Sequence, residues 1–281
     1  MTTRLRTALS VLVISLLALT CQQAPKTTEN DSTKTRILEA GAIRAAYVVY
    51  PPILSRDPNS GTMTGISVDI LKEVARRLGV KLVWGEEVGW ATMVEGLKAG
   101  KYDIVGTAVW PTAQRGKVAD FSVPLFYSVL QAYGRTGPSV RTRLVDLDSP
   151  SVRLSTIDGE ISDIVARQRF PRAQRLSLPQ ASQPSLALLN VAAGKADVAF
   201  IEPVVAMAYQ DANPGGIQVL FDGEPVLYSP NSFMFLAGNP SLKSMIDTAL
   251  LELQNSGFIT GVLAKHDPRH TFFETSLPFR Q

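Results

Sequence analysis

The sequence predicts an α/β protein built from two similar lobes. Short apolar stretches of strand length alternate with stretches whose apolar residues recur at helical spacing, a pattern typical of mostly parallel sheets covered by helices. The stretch LKAGKYDIVGTAV, which starts at Leu97, returns as VAAGKADVAFIEP at Val191. The 281 residues are enough for two lobes of about 100 residues each, so the repeat indicates two lobes of similar construction.

The composition argues against several classes of function. The chain has 28 basic and 25 acidic residues, a formal net charge of +3, with no basic run beyond the first residues, so we expect no nucleic-acid partner. It has two histidines, His266 and His270, and one cysteine, and none of them stands in a metal-binding pattern. We therefore expect neither a metal nor another cofactor.

The first residues have the pattern of a secretory signal. Two arginines precede an apolar run at residues 8–19, which is too short to span a bilayer comfortably, and Cys21 follows. This arrangement resembles a bacterial lipoprotein signal, in which the cysteine becomes the lipidated first residue, although Thr20 departs from the usual Gly or Ala. We predict a signal peptide over residues 1–21, lipidation of Cys21 and a flexible tether over residues 22–35, with a plainly cleaved or retained signal as the alternative.

The first half of the chain after the tether alternates predicted strands and helices. Strands are predicted at residues 43–49, 81–84 and 104–109, and helices at residues 68–78 and 91–99. Two prolines end the first strand and Gly79 ends the first of these helices. Ligand sites on such sheets lie at the carboxyl ends of the strands, which is where four aromatic residues fall: Tyr47, Tyr50, Trp90 and Trp110.

The second half repeats this alternation. Strands are predicted at residues 152–157, 173–178, 196–201 and 232–237. Helices are predicted at residues 162–169 and 185–193, from Pro203 onward, and twice more near the end of the chain. The second lobe therefore has the same kinds of elements as the first.

Three motifs carry a resemblance to a known family: GISVDILKEVARRLG, GKYDIVGTAVWPTAQRGKVADFSVPLFYS and GKADVAFIEP. With the closing helices, about residues 36–270 resemble the extracellular solute-binding proteins of the polar amino acid type, the capture subunits of ABC importers. The resemblance implies a type II periplasmic-binding-protein fold, in which two hinge crossings join two lobes that close over a ligand. By position, the crossings are expected near residues 125–130 and 228–232, lobe 1 at residues 36–126 plus 231–275, and lobe 2 at residues 128–228.

Arg115, in TAQR, matches the family arginine that grips the ligand carboxylate. A guanidinium can bond a carboxylate through two parallel hydrogen bonds and stays charged in a partly dry cleft. Backbone N–H groups near Ala108 and Trp110 are expected to help, although many relatives carry a small hydroxyl residue at the position of Trp110. The alternative is a surface arginine paired with Asp120.

Glu202 matches the lobe 2 acid that pairs with the ligand ammonium, although relatives usually have aspartate there. Because Glu202 precedes Pro203 after a buried strand, a helix cap is the alternative. Asp158, Gly159 and Glu160 stand where relatives have a turn that donates N–H groups to the ligand. Asp158 also suits a cap of the following helix. If these acids face the cleft, the ligand is expected to be cationic.

Aromatic residues are expected to form the rest of the pocket wall. Tyr50 and Trp90 match positions that sandwich the ligand side chain in the family, and Tyr47 replaces a polar residue that often contacts it. Tyrosine and tryptophan rings can hold an ammonium or guanidinium group by cation–π attraction. Trp84, within a strand, is expected to pack in the core, whereas Trp90 and Trp110 are expected to face the ligand.

Together, these residues imply reversible capture of a small zwitterion, an amino acid or related amine, rather than an enzymatic reaction. We expect a monomer in the periplasm or at the cell surface that delivers its ligand to an ABC permease. Two alternatives stay open. One is an enzyme similar to cyclohexadienyl dehydratases, with Glu202 as general acid, and the other is a ligand-sensing accessory lipoprotein.

Overall fold

A computed structural model describes residues 32–138, 143–221, 224–267 and 273–276. The predicted signal peptide at residues 1–21, with Cys21, and the predicted tether up to residue 31 lie outside these ranges. Within the described ranges, no helix combines the length and the apolar character that crossing a membrane requires.

The helices lie largely where the sequence predicts them. They are α1 Ser32–Ala40, α2 Ile66–Arg77, α3 Met93–Lys98, α4 Ile161–Arg169, α5 Ser185–Ala192, α6 Pro203–Ala212, α7 Pro240–Asn255 and α8 Phe258–His266. In α2, Val68, Leu71 and Val74 are fully buried because their spacing places them on one face. α1 begins inside the predicted tether, since a helix that buries Ile37 needs a turn ahead of that residue.

The strands lie at comparable positions. They are β1 Ala42–Tyr47, β2 Ser55–Arg56, β3 Met63–Thr64, β4 Lys81–Glu87, β5 Ile104–Val109, β6 Ala119–Phe121, β7 Phe126–Arg135, β8 Arg153–Ile157, β9 Gln174–Leu178, β10 Val198–Ile201, β11 Ile217–Val219, β12 Leu227–Leu236 and β13 Phe273–Glu274. The sheet has the order β4-β1-β5-β12-β7-β10-β8-β9. β1 is parallel to β4 and β5, and β8 is parallel to β9 and β10, so both ends of the sheet are parallel as predicted.

Two long antiparallel strands connect these parallel ends. β7 and β12 pair from Leu130 opposite Leu227 to Phe126 opposite Asn231. These residues coincide with the segments predicted as crossings. β12 begins earlier than the predicted strand at residues 232–237 because its first half pairs with β7, a tertiary contact that periodicity does not report.

The buried side chains fall into two groups of clusters. The first group combines the helices and strands before β7 with Phe233, Phe235 and α7 and α8, and the second lies mainly around β8, β10 and the helices α4 and α5. This packing supports the two-lobed fold. The lobe boundaries at residues 36–126 plus 231–275 and 128–228 stay predictions.

The repeated Gly-Lys-x-Asp turn makes the same contacts in both lobes. Asp103 accepts hydrogen bonds from the backbone N–H and the guanidinium of Arg44, at 2.8 Å and 2.7 Å for the shortest bonds. Asp197 accepts the corresponding bonds from Arg153 at 2.8 Å and 2.9 Å. The other ion pairs found among the described residues also stay within one predicted lobe. The two parallel ends of the sheet are therefore stabilised by separate sets of ion pairs.

Candidate functional site

A small cavity of about 20 Å³ lies between the two groups of buried clusters. Its lining residues are Tyr50, Ile53, Trp90, Ala108, Trp110, Arg115, Glu160, Ile161, Glu202 and Asn231. Seven of these ten are residues that the sequence predicts for the ligand site, all except Ile53, Ile161 and Asn231. The fold thus brings predicted site residues from both lobes to one cavity, while their roles in ligand binding stay predictions.

Arg115 begins a short 3-10 turn after β5 and is buried, with 8% of its surface exposed. Its Nη1 donates to the Trp110 carbonyl at 2.9 Å and its Nη2 to the Gly159 carbonyl at 3.1 Å. Asp120 instead accepts a bond from the Gly238 N–H at 3.0 Å, so the alternative of a surface pair between Arg115 and Asp120 is wrong. A guanidinium has five N–H donors, and these two bonds leave donors for a ligand carboxylate.

Burial has not removed the charge of Arg115. Desolvation lowers the pKa of the guanidinium to about 10, and the nearby Glu160 carboxylate opposes this shift. A pKa of about 10 leaves Arg115 protonated at neutral pH. The cavity therefore contains a permanent positive charge on its lobe 1 side.

Glu202 occupies the N-cap position of α6, but its side chain makes no cap hydrogen bond. The Tyr50 hydroxyl donates to one carboxyl oxygen, Oε2, and Ser128 Oγ donates to the other, Oε1, at 3.4 Å. Desolvation raises the pKa of Glu202 to about 8, the negative charge of Glu160 adds to the shift, and the hydrogen bonds from Tyr50 and Ser128 oppose it. The side chain therefore points into the cavity and holds a proton at neutral pH in this arrangement.

Tyr50 is held in place by the backbone around it. Its N–H and C=O exchange hydrogen bonds with those of Leu54, at 2.8 Å and 3.0 Å. Thr107 Oγ1 on β5 accepts from the Val48 N–H at 2.8 Å and fixes the end of β1 just before Tyr50. The ring meets Trp90 edge to face with a centroid distance of 5.6 Å. These contacts aim the Tyr50 hydroxyl across the cleft at Glu202.

Glu160, not Asp158, caps α4. Its carboxylate accepts from the Ser162 N–H at 2.8 Å and from Ser162 Oγ, and burial raises its pKa. Asp158 is exposed and lies 3.9 Å from Arg167, outside the cavity lining, so the expected cap by Asp158 is wrong. The left-handed Gly159, with φ of +73°, turns the chain between the two acids. Gly159 reaches the site through its carbonyl, which accepts the bond from Arg115.

Tyr47 does not reach the cavity. The register of β1 against β4 shifts between Ala45 and Tyr47, and the Tyr47 ring lies edge to face with Trp84 at 6.1 Å. It packs with Leu54 and Val68 in a separate buried cluster. Trp84 packs against neighbouring core clusters, as predicted.

Sequence reasoning missed Asn231, Ile53 and Ile161. Asn231 lies on β12, and its Oδ1 accepts a hydrogen bond from the Trp110 indole at 3.0 Å. A buried amide on a strand predicted to cross between lobes is a signal that could have identified it, because buried polar groups require partners. Ile53 and Ile161 carry no such signal, since a buried isoleucine has the same pattern in a core and in a pocket wall.

Comparison with known proteins places the chain in a family. The sequence profile of the bacterial extracellular solute-binding proteins, family 3, matches residues 43–266. The chain belongs to this family. The family 3 protein described here is 26% identical over 210 residues to a probable amino-acid ABC transporter-binding protein of Haemophilus influenzae, covering 74% of this chain and 77% of that protein.

Two further matches to this family 3 protein are an enzyme and a solved structure. Cyclohexadienyl dehydratase of Pseudomonas aeruginosa is 23% identical over 248 residues, 88% of each chain. The crystal structure of an ancestral amino acid-binding protein, a precursor of cyclohexadienyl dehydratase, superposes with a TM-score of 0.71 at 24% identity, over 83% of this chain and 99% of that one. That likeness shows the two-lobed type II fold.

Proposed function

We propose that this family 3 protein reversibly captures a small amino acid or related amine and delivers it to an ABC permease. The observation that carries the proposal is one cavity that unites Arg115 from the first lobe with Glu160 and Glu202 from the second. Arg115 would bind the ligand carboxylate, and Glu202 would bind an ammonium group after exchanging its Tyr50 hydrogen bond for the ligand. Relatives named as amino-acid-binding proteins support this assignment.

The charges of the cavity favour a cationic ligand. One guanidinium, on Arg115, faces two carboxyl groups, on Glu160 and Glu202. A ligand with one carboxylate and two positive groups, such as a basic amino acid, would balance all three when both acids are ionised. The rings of Tyr50 and Trp90 add surfaces that attract cations.

A thermal-shift screen of the protein from residue 22 onward, without the predicted signal peptide and Cys21, tests the proposal. The compounds are basic, neutral and acidic amino acids, polyamines, quaternary amines and small carboxylates. A ligand at about 100 times its dissociation constant adds about 2.7 kcal/mol to the free energy of unfolding and raises the melting temperature by several degrees. We expect the basic amino acids to give the largest shifts.

Two variants connect a positive result to the cavity. Arg115→Ala is expected to abolish the shift and Glu202→Gln to weaken it, because each removes one proposed ligand contact. A ligand that binds both variants as well as it binds the unaltered protein would contradict the assignment of Arg115 and Glu202.

Membrane anchoring and the permease extend the proposal beyond the described residues. Lipidation of Cys21 would hold the protein at the outer face of a membrane, where a permease could receive the ligand. Mass spectrometry of the protein from its native membrane fraction would detect the lipid on a peptide that begins at Cys21. An unmodified, freely released mature protein would exclude the anchor and leave capture as a soluble periplasmic activity.

A dehydratase activity is the second candidate, favoured by the state of Glu202. With a pKa of about 8, this carboxyl is protonated at neutral pH and could donate its proton to a leaving group, as a general acid does. Incubation with prephenate and with arogenate tests this activity, with Glu202→Gln as the control. Turnover that Glu202→Gln abolishes would establish an enzyme, whereas tight binding without turnover would support capture alone.

A further inference from the structure

A chain of buried hydrogen bonds leads from the cavity through both crossing strands. The Trp110 indole donates to Asn231 Oδ1 at 3.0 Å, Asn231 Nδ2 donates to Ser128 Oγ at 2.8 Å, and Ser128 Oγ donates to Glu202 Oε1 at 3.4 Å. Ser128 lies on β7 and Asn231 on β12. The chain therefore joins Trp110 in the first lobe to Glu202 in the second by way of both strands between them.

The donors and acceptors fix the direction of this chain. An indole N–H can only donate, so Asn231 must present its oxygen to Trp110 and its NH₂ group to Ser128. The Ser128 hydroxyl accepts that bond, which leaves its hydrogen for the Glu202 carboxylate. Protonation of Glu202 removes the negative charge that strengthens the bond from Ser128, and a proton on Oε1 would also compete with the Ser128 hydrogen, so protonation on either oxygen alters the bond that Ser128 makes.

We propose that Ser128 and Asn231 are positioning residues that couple the state of the Glu202 carboxyl group to Trp110 and to both crossing strands. At 3.4 Å, the hydrogen bond from Ser128 to Glu202 is the longest in the chain. We therefore expect this bond to change first when another group binds the Glu202 carboxylate. Only the step in which a ligand occupies Glu202 depends on the proposed function. Protonation changes the same carboxyl group and tests the chain without a ligand.

The test is a pH titration of the ligand-free protein with ¹⁵N-labelled tryptophan, followed by NMR. The protein has three tryptophans, so three indole signals are expected, and Trp110→Phe assigns one of them. We expect the Trp110 signal to move with a midpoint at the pKa of Glu202, about 8. Glu202→Gln should abolish this movement, and so should Ser128→Ala, because each interrupts the chain.

Ser229→Ala is the matched control. Ser229 is paired directly with Ser128 across the two crossing strands and is equally buried, at 4% exposure. Its hydroxyl donates to the Pro230 carbonyl at 3.2 Å and takes no part in the chain. This variant should keep the full movement of the Trp110 signal. The indole signal of Trp84, which packs against Tyr47 outside the cavity, provides an internal reference.

Other titratable and charged groups near Glu202 are separated by substitution. The cavity also contains Tyr50, Glu160 and Arg115. In Glu160→Gln, the Trp110 signal should still move with pH. The midpoint should be lower, because a negative charge near Glu202 is gone. Asn231→Ala, which removes the central link, should abolish the movement as Ser128→Ala does. A Trp110 signal that moves in Ser128→Ala as it does in the unaltered protein would overturn the proposal.

Addition of L-lysine to the same samples distinguishes failure of this inference from failure of the proposed function. If L-lysine binds, it should shift the Trp110 signal in the unaltered protein and in Ser229→Ala, and much less in Ser128→Ala. If neither L-lysine nor any other compound of the thermal-shift screen binds but the pH titration gives the expected pattern, capture is contradicted and the chain is supported. If L-lysine binds and shifts Trp110 equally in all three proteins, capture is supported and the chain is contradicted.

Discussion

Arg115 and Glu202 lie in the same cavity, and burial disfavours the charged form of both. At neutral pH, however, Arg115 keeps its charge and Glu202 does not. Arginine starts from so high a pKa that a value of about 10 leaves it charged, whereas a carboxyl group raised to about 8 becomes neutral. The ligand-free site therefore keeps the positive charge of Arg115, whereas protonation removes the negative charge of Glu202. A ligand ammonium that favours the ionised form of Glu202 must release the proton of that carboxyl group.

Arg115→Lys should lower ligand affinity about tenfold or more, since a hydrogen bond to a charged group is worth about 1.5–3 kcal/mol. A lysine ammonium lacks the planar fork that reaches the Trp110 and Gly159 carbonyls together while still facing a carboxylate. Isothermal titration calorimetry with the ligand found by the screen measures the loss. Arg172→Lys, at an exposed pair with Asp148, is the control and should bind normally.

The stability of the ligand-free protein should fall as pH rises toward 8. The pKa of Glu202 is about 8 when folded, against 4.5 for an ordinary glutamate, so the folded state binds more protons than the unfolded state between these values. The stabilisation is complete below the unfolded value and is lost as pH passes the folded value, and Glu160, whose pKa is also raised, acts in the same direction. Urea unfolding across this range measures the slope, which Glu202→Gln should reduce. An unchanged slope in Glu202→Gln would show that other groups cause the pH dependence of stability.

The regular elements were predicted well from periodicity, because amphipathic helices such as α2 and buried strands such as β5 record their environment in their own residues. Their ends were less predictable, since β12 begins where β7 pairs with it. The site depended on motif resemblance, which located Arg115 and Glu202. Neither approach predicted the direction of the Tyr47 side chain, which packs against Trp84 and not into the cavity. The register shift beside Tyr47 arises from strand pairing, which the local sequence does not record.

Gly159, in the turn before α4, touches the other lobe closely. A Cβ built there would lie 2.7 Å from Ala91 Cβ and 2.9 Å from the Ala91 backbone. Gly159→Ala should therefore hinder closure and lower ligand affinity, as calorimetry would show. Gly215→Ala is matched, because Gly215 has a similar φ of +76° but no described atom within 4 Å of its Cβ position. Gly215→Ala should lower the free energy of unfolding by a similar amount and leave ligand affinity unchanged. Equal losses of affinity in both variants would contradict a steric effect on closure.

On the scale of the whole molecule, few polar contacts join the two lobes across the cleft. Tyr50 donates to Glu202, Arg115 donates to Gly159, and the Ala91 N–H donates to Gln180 Oε1 at 3.2 Å. Most buried residues of each lobe lie in clusters of that lobe, but Trp110 packs in the second lobe's cluster, and Val204, Val205 and Met207 of α6 pack against the first lobe's cluster. Closing therefore changes the packing of these few residues and leaves most of each core as it is. The motion is expected to be a rigid rotation about β7 and β12.

Tyr50→Phe should shift the ligand-free protein toward an open form, because it removes the hydroxyl that bonds Glu202 across the cleft. Small-angle X-ray scattering should then give a larger radius of gyration. Tyr102→Phe is the matched control, since the Tyr102 hydroxyl donates to the Met93 carbonyl at 2.7 Å within the first lobe. It should lower stability without changing the dimensions, and an unchanged radius for Tyr50→Phe would show that this bond does not hold the lobes together.

Each lobe is stabilised by its own Arg–Asp ion pairs, and this arrangement affects how the protein responds to dissolved salt. Dissolved salt weakens attraction between exposed charges, and the described ion pairs stay within one lobe or the other. Of the three hydrogen bonds named across the cleft, the bond from Tyr50 is buried and the bond from Arg115 is partly buried, so ions in solution screen them much less. The third, from the Ala91 N–H to Gln180, is exposed but joins uncharged groups. We therefore expect opening and closing to proceed alike in dilute and in concentrated salt. A member of an extracellular solute-binding family that behaves in this way can operate over a wide range of ionic strength.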